Sequence, residues 1–338
     1  MDIILFTNGN KSILASSDGA SFVIDSALIF QDPDLFNERF LYQLRRLLSI
    51  KDFSQVGKIT FAITGLIDTK NNVIVKTYLL NDISRTKIYD GFNISGALKK
   101  VFDNKQISLV NDAFATAIGI SKSIDKLALP CLVLTLNDGI GIGIINTTGS
   151  VLSLEWGGDF VPTINKNIYE AVGRVSLYDM LLKGMVEVNE KYSEYLAESI
   201  KYLIAKYQEE NKEIKSVAVI GEKTSLIDNN VLKNFLPGYD LHIFENISEQ
   251  QEVIIKGCFG YSEYLAKQEN RIIKLEYYTE QEKIYDFDDF EKCKKHFLSV
   301  KPITNQNNYY KIIYSNGTVK TLTISNINNL EELELYRF

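Results

Sequence analysis

The chain has 338 residues, 45% apolar and 24% charged, which is ordinary globular material, long for one domain and comfortable for two. Lys and Arg number 37 against 43 Asp and Glu, and the resulting net charge of -6 excludes the cationic surface of a non-specific nucleic-acid binder. Three scattered cysteines (Cys131, Cys258, Cys293) and two histidines (His242, His296) leave no basis for a Cys/His zinc site or a disulfide framework, which fits a reducing cytosol.

No stretch approaches the roughly 18 uninterrupted apolar residues of a membrane span. The opening Met1-Asp2 and the short apolar run Ile3 to Phe6 lack the basic segment of a signal peptide. A soluble, cytoplasmic protein is expected. Asp2 to Phe6 reads as a buried strand, and Ser12 to Ala15 and Ser21 to Ile24 as two more, parted by Ser17, Asp18 and Gly19. Leu35, Phe36, Phe40, Leu41, Leu44, Leu47 and Leu48 recur at helical spacing and predict a helix within Pro33 to Ile50. A strand follows at Lys58 to Ile63, stopping at Gly65, then a helix at Ile94 to Phe102. Ile107 to Val110 is a strand that halts at Asn111 and Asp112.

The pattern then restarts. Leu132 to Leu136 and Ile142 to Asn146 read as strands around a glycine-rich turn, and Ile168 to Leu182 and Ser193 to Glu210 as helices. Ser216 to Ile220 and Leu241 to Phe244 are strands, and Gln250 to Ala266 is a helix. Strands followed by helix–strand alternation, twice over, predict two similar α/β lobes with a ligand cleft between them. Beyond Lys267 the chain turns rich in Tyr, Asn, Lys and Glu. There Arg271 to Tyr278 predicts a strand and Asp286 to Leu298 an amphipathic helix. Tyr309 to Tyr314 and Thr318 to Ile324 flank Ser315-Asn316-Gly317, a strong hairpin signal.

Four segments bear on chemistry, and each admits a plainer reading. Gly139, Gly141 and Gly143 let the backbone approach a ligand and offer N–H groups to phosphate oxygens, or they belong to a simple hairpin. Asp112 ends a strand, where α/β proteins hold ligands, and its carboxylate can accept a hydroxyl proton; it would serve equally at a helix start. Glu155 and Glu170 can hydrogen-bond a polyol, or be solvated surface residues. Val217 to Ser225 suggests a nucleotide loop, but Gly221 is not followed directly by Lys, so a strand-to-loop turn is the safer reading.

Taken together and in order, these segments resemble the ROK family (repressors, open reading frames and kinases) of bacterial sugar kinases, within the actin-like and hexokinase-like ATPase superfamily. Thr64-Gly65-Leu66-Ile67-Asp68 looks like the family's P-G-L-V-D, and Tyr89-Asp90-Gly91-Phe92-Asn93-Ile94 resembles W-x-G-F-D-L. Asn111-Asp112-Ala113 matches N-D-A, and Leu134 to Gly143 resembles L-T-L-G-T-G-I-G-G-G. Glu155 to Gly158 is similar to E-x-G-H, Ile168 to Ala171 to C-L-E-A, and Val219-Ile220-Gly221 to the adenosine-side V-L-G-G-G.

The resemblance covers about residues 1–267 and implies a two-lobed actin-like ATPase (ribonuclease H-like) α/β fold with a small α+β appendage. Lobe one would span 1–113, completed by a helix at 250–267, lobe two 114–249, and the appendage 268–338. It implies Asp112 as general base on a sugar hydroxyl, with Asn111, Glu155 and Glu170 holding other hydroxyls. Gly139, Gly141, Gly143 and Gly221 would contact ATP, with Mg2+ bridging its phosphates, and a homodimer is expected. The implied reaction is ATP-dependent phosphorylation of a hexose or N-acetylhexosamine.

Several positions depart from the pattern. Phe6 stands where D-x-G-G-T carries its acid, and Asp138 where the second phosphate loop carries Thr. A carboxylate facing a phosphate at 4 Å is repelled by roughly 4 kcal/mol at an effective dielectric near 20. Gly158 replaces the His of E-x-G-H, Glu222 and Lys223 replace two glycines, and the zinc-binding cysteines are missing. The sugar side survives better than the nucleotide side. A sugar-binding sensor or scaffold without kinase activity is therefore the alternative function. A sugar-responsive transcriptional regulator is the third, and nucleic acid is not an expected partner: the regulators' winged helix would precede the first strand, which here opens at Asp2.

Overall fold

The structure is a computed structural model that describes all residues except 50–52, 70, 78–88, 104, 138, 148, 155, 174–179, 181–186, 211–212, 268–271, 280–281, 288–308, 315–318 and 324–338. It divides into one unit of residues 1–204 with 214–262 and a second of 205–213 with 263–338.

The first unit opens with three antiparallel strands, β1 (Asp2–Asn8), β2 (Lys11–Ser16) and β3 (Ser21–Asp25). Gly9, at φ 55, heads the two-residue turn between β1 and β2, a backbone conformation that costs glycine nothing. A short helix α1 (Ala27–Phe30) leads to α2 (Phe36–Leu48), whose entry is set by Asp32 capping the turn at Pro33. Phe36, Phe40, Leu44 and Leu47 repeat every three to four residues and are buried, so one stripe of α2 faces the sheet. Phe36 stacks on Phe40 with ring centroids 6.1 Å apart, and Phe40 meets the tilted ring of Phe61 from the sheet at 5.1 Å.

Strand β4 (Lys58–Ile63) joins β1 in parallel; then come a small sheet of β5 (Gly65–Asp68), β6 (Val73–Thr77) and β7 (Phe92–Asn93), and helix α3 (Ile94–Leu98). Strand β8 (Gln106–Asn111) pairs in parallel with β4 and runs directly into helix α4 (Asp112–Ser123). The five-stranded sheet has the order β3-β2-β1-β4-β8.

The second half repeats this plan. β9 (Cys131–Leu136), β10 (Ile140–Ile145) and β11 (Val151–Leu154) are antiparallel, as β1 to β3 are. A two-stranded ribbon, β12 (Phe160–Val161) with β13 (Lys166–Asn167), leads into helix α5 (Ile168–Val172), followed by the long helix α6 (Val188–Glu210). β14 (Ser216–Ile220) joins β9 in parallel, and helix α7 (Asn229–Phe235) connects it to β15 (Asp240–Phe244), again parallel. Helix α8 (Ile247–Lys267) follows β15 as α4 follows β8. The order β11-β10-β9-β14-β15 reproduces the first sheet strand for strand, so the expectation of two similar α/β lobes is met.

Helices α4 and α8 meet through glycine. A Cβ on Gly119 would collide with the Val253 carbonyl, and one on Gly257 with the Ala115 carbonyl, so the two backbones touch. Any larger residue at either position would drive the helices apart.

The helix expected over Ile168 to Leu182 is capped at Gly173 after Val172; Met180 is again helical, and residues 174–179 and 181–182 lie outside the described residues. The small sheet β5-β6-β7 and strand β11 were not foreseen. In the second unit, β16 (Ile272–Thr279), β17 (Glu282–Phe287), β18 (Tyr309–Tyr314) and β19 (Val319–Thr323) form an antiparallel sheet in the order β17-β16-β18-β19. The two strands expected around Asn316-Gly317 do pair antiparallel, with Tyr309 opposite Thr323, while residues 315–318 between them lie outside the described residues. Asp286 and Phe287 lie in β17 rather than in the expected helix, and residues 288–298 of that helix lie outside the described residues.

Candidate functional site

The chemistry-bearing junction is the end of β8. Asn111 leaves the strand at φ -68, ψ 142, and its Oδ1 accepts from the N–H groups of Ala113 and Phe114 at 2.9 and 3.1 Å, capping α4. Its Nδ2 donates to the Gly65 carbonyl at 3.0 Å, and Ser153 Oγ donates to its Oδ1 at 3.5 Å. Asn111 is therefore a joint that ties β8, α4, β5 and β11 together.

Asp112 follows as the first residue of α4, where exposed N–H groups and the helix dipole favour a negative charge. It is only 7% exposed. The Thr64 hydroxyl donates to its Oδ2 at 2.8 Å and also lies 3.2 Å from the Thr7 carbonyl. One hydroxyl proton serves one acceptor at a time, and the charged, nearer one is the stronger. Across the helix contact, burial pushes the Cys258 thiol well above the usual range, and the Asp112 charge adds to the shift. The duplicated fold supplies a comparison within the molecule. Asn246 caps α8 as Asn111 caps α4, yet the residue after it is Ile247. Of two equivalent junctions, one carries an acid.

The glycine strand has mixed duties. The Gly141 N–H donates to Thr135 Oγ1 at 3.1 Å, and a Cβ there would stand 2.7 Å from that of Ala113. A Cβ on Gly143 would meet Ala117 at 3.4 Å. Both glycines let α4 lie close on β10, so helix packing explains them where a phosphate contact was expected. Gly139 is exposed at the turn and has the Tyr169 ring as its neighbour. Gly221 adopts φ 127, and its carbonyl accepts from Thr224 N–H and Gln250 Nε2, which accounts for it as a turn residue. The loop after it is a 3-10 turn over Glu222–Leu226, as the strand-to-loop reading anticipated.

Glu155 and Asp138 lie outside the described residues. Glu170 is exposed and forms a capping box with Asn167, each side chain accepting from the other's backbone N–H at 2.8 and 3.1 Å. Its neighbour Tyr169 and the turn at Trp156 to Asp159 are locked together by Tyr169 N–H to Gly157 O and Ile168 N–H to Asp159 O, both 3.0 Å.

Two strands from the Asn111–Asp112 junction, at the level of Val110, Phe6 is 3% exposed, paired along the sheet with Ile13 and Ala62. Lys11, the first cation after the β1–β2 turn, is 2.6 Å from Glu222 of the second lobe. Among the described residues no group of three His, Cys, Asp or Glu side chains is placed to hold a metal ion. An apolar ring where an acid would organise the metal, a lysine already paired and two glycines, Gly141 and Gly143, packed against α4 do not fit a magnesium triphosphate. Sequence reasoning did not single out Thr64, Tyr169 or the Lys11–Glu222 pair. Thr64 had a signal, a hydroxyl at the end of β4 beside Gly65; the ion pair, 211 residues apart, had none.

Two lobes of like topology with their helices crossing between them define the actin-like ATPase fold, and within it the chain has the fold of the ROK kinases. It matches the inorganic polyphosphate/ATP-glucomannokinase of Arthrobacter sp. strain KM with a TM-score of 0.57 at 14% identity, over 78% of this chain and 98% of that one. The ROK family glucokinase of Streptomyces griseus, solved with glucose and AMPPNP, matches with a TM-score of 0.55 at 10% identity, over 76% and 98%. A ROK family transcriptional regulator, a homologue of the E. coli MLC protein, matches with a TM-score of 0.51 at 15% identity, over 79% and 80%. No family model and no curated protein matches the chain. Among the described residues no helix is long and apolar enough to cross a membrane.

Proposed function

We propose that this chain is a sugar-binding protein on a ROK kinase fold, holding a hexose or N-acetylhexosamine at the end of β8 without phosphorylating it. The observation that carries this reading is a contrast within one end of the first sheet. Asp112 is buried, set on a helix N-terminus and held by Thr64. Two strands away Phe6, and beyond the β1–β2 turn the Lys11–Glu222 pair, take the place of the groups that a metal–phosphate complex needs. In this reading Asp112 accepts a hydrogen bond from a sugar hydroxyl, and Glu155 and Glu170 hold further hydroxyls. Asn111 fixes the junction on which they stand.

One observation favours a second reading, an ATP-dependent sugar kinase. Asp112 stands where a carboxylate can take a hydroxyl proton, and several proteins of like fold are described as kinases, one of them solved with AMPPNP. Calorimetry with glucose, mannose and N-acetylglucosamine, alone and with Mg-ATP, separates the two when joined to an ADP-release assay. Sugar binding lost in Asp112→Asn, with no ADP released, supports the binding protein. Sugar-dependent ADP release lost in Asp112→Asn establishes the kinase. No binding of any sugar overturns both. The homodimer belongs to the same proposal and is tested by sedimentation velocity.

A further inference from the structure

We infer that the cavity between the end of α4, the start of α8 and strand β15 is a binding site for a small aliphatic cation, a primary amine or guanidinium on a short hydrocarbon stem. The site is independent of the sugar-binding reading. The cavity holds about 310 Å³, room for a molecule of that size. Asp112 and Ser123 are the two ends of α4, roughly 16 Å apart along its axis, so the cavity is separate from the β8 junction.

Three elements build it. Helix α8 turns Glu249, Glu252, Val253 and Lys256 toward it, a spacing of three, four and seven residues that makes one stripe. Val253 cannot withdraw, because its carbonyl lies against Gly119 of α4. With Ile124 just past α4 and Phe244 of β15 it forms an apolar wall that suits a hydrocarbon stem.

The charges decide the sign of the head group. Lys256 Nζ is already paired with Glu252 Oε1 at 2.8 Å, and His242 Nε2 lies 3.1 Å from Asp240 Oδ2. Glu249, nearly one turn before Glu252, has no ion pair among the described residues, so the cavity is left with one carboxylate over. The start of α8 offers little to an anion, since Asn246 Oδ1 takes the N–H groups of Ser248 and Glu249. Helix α4 arrives by its C-terminal end, the negative end of its dipole. Its last residue, Ser123, has a buried hydroxyl oxygen with no hydrogen-bond partner among the described residues. An ammonium has three donors and no acceptor, and it can bond Glu249 and Ser123 together. A carboxylate ligand would be repelled by the same groups.

Saturation-transfer NMR on the full chain tests this through the methylene protons of 1,5-diaminopentane and agmatine. Pentanoate serves as the anion with a like stem, and Nα-acetyl-lysine methylamide as the same cation in a peptide setting. Both amines are expected to bind in the low millimolar range or tighter, and pentanoate not to bind. Glu249→Gln is expected to weaken the amines about tenfold and Ser123→Ala about threefold. Without ligand Ser123→Ala should unfold no more easily than wild type, because it removes a buried hydroxyl that lacks a partner. If Glu249→Gln fails to fold, the wild type with amines against pentanoate decides the matter together with Ser123→Ala. Binding of the capped lysine supports the site and names its occupant as a side chain of a partner polypeptide; its exclusion, with the free amines bound, names a small molecule. Pentanoate binding as well as the amines, equal amine affinity in wild type and Glu249→Gln, or no signal from either amine overturns the site. Sugar binding is untouched by any of these results.

Discussion

Lys11 Nζ and Glu222 Oε1 stand 2.6 Å apart and join the first hairpin of lobe one to the loop after β14 in lobe two. Both side chains are more than half exposed, at 65% and 54%, so the pair is worth about 0–1 kcal/mol and is screened by salt. Glu222→Gln is expected to lower the melting temperature by no more than a few degrees. In a double-mutant cycle with Lys11→Met, the coupling should vanish near 1 M salt. A coupling that survives there would mean the pair is buried in solution.

Gly257 makes the opposite prediction, a large effect without charge. Its Cα lies against the Ala115 carbonyl, and α4 and α8 are rigid helices that must separate to admit a methyl group. Gly257→Ala should cost about 1–3 kcal/mol in denaturant unfolding despite alanine's better helix propensity. A stabilised variant would show that the helices cross with more room than this.

Gly141→Ala tests the packing duty of the glycine strand against a phosphate duty. The new methyl would press on Thr135 and on Ala113, the residue next to Asp112. Destabilisation should be partly rescued by Ala113→Gly, which removes one of the colliding groups. A phosphate role predicts no such rescue. Unfolding midpoints of the four proteins in the cycle decide it.

These glycines also show where sequence reading stops. Alternating strands, the α2 stripe of Phe36, Phe40 and Leu44, and the halt at Asn111-Asp112 are local patterns, so the elements and the repeated lobe were legible. A glycine pattern says only that something comes close. Whether Gly141 faces a ligand or Ala113 depends on how α4 lies on β10, which no local spacing encodes. Likewise Glu170 has the right residue type for a sugar contact, and only the structure reveals its bond to Asn167. The cap at Gly173 was likewise hidden, because the apolar spacing runs on past it.

Burial of titratable groups sets a pH limit. Burial pushes the Cys131 thiol from 9.0 up to about 12 and raises Cys258, Tyr89 and Tyr192 in the same direction. Unfolding releases these protons at ordinary values near 9 and 10, so above pH 9 the unfolded chain binds fewer protons than the folded one. Stability must then fall as pH rises. Urea midpoints should be flat from pH 7 to 8.5 and decline from about 9 upward, and Cys131→Ala with Cys258→Ala should flatten the first part of the decline. A midpoint that climbs above pH 9 would contradict the burial of these groups.

Thr64→Val separates holding Asp112 from merely filling space. Valine matches threonine in shape but cannot donate, so a nearly buried carboxylate loses the bond seen at 2.8 Å. Lost hydrogen bonds to charged groups cost about 1.5–3 kcal/mol, and Thr64→Ser, which keeps the hydroxyl, should recover most of it. Stability alone would not reveal a role in binding. The same bond fixes which way the carboxylate faces, so sugar affinity in Thr64→Val should fall about tenfold while Thr64→Ser stays near wild type. Calorimetry at a temperature where all three proteins are folded reads this directly. Equal affinities with unequal stabilities would assign Thr64 to the fold and not to the orientation of Asp112.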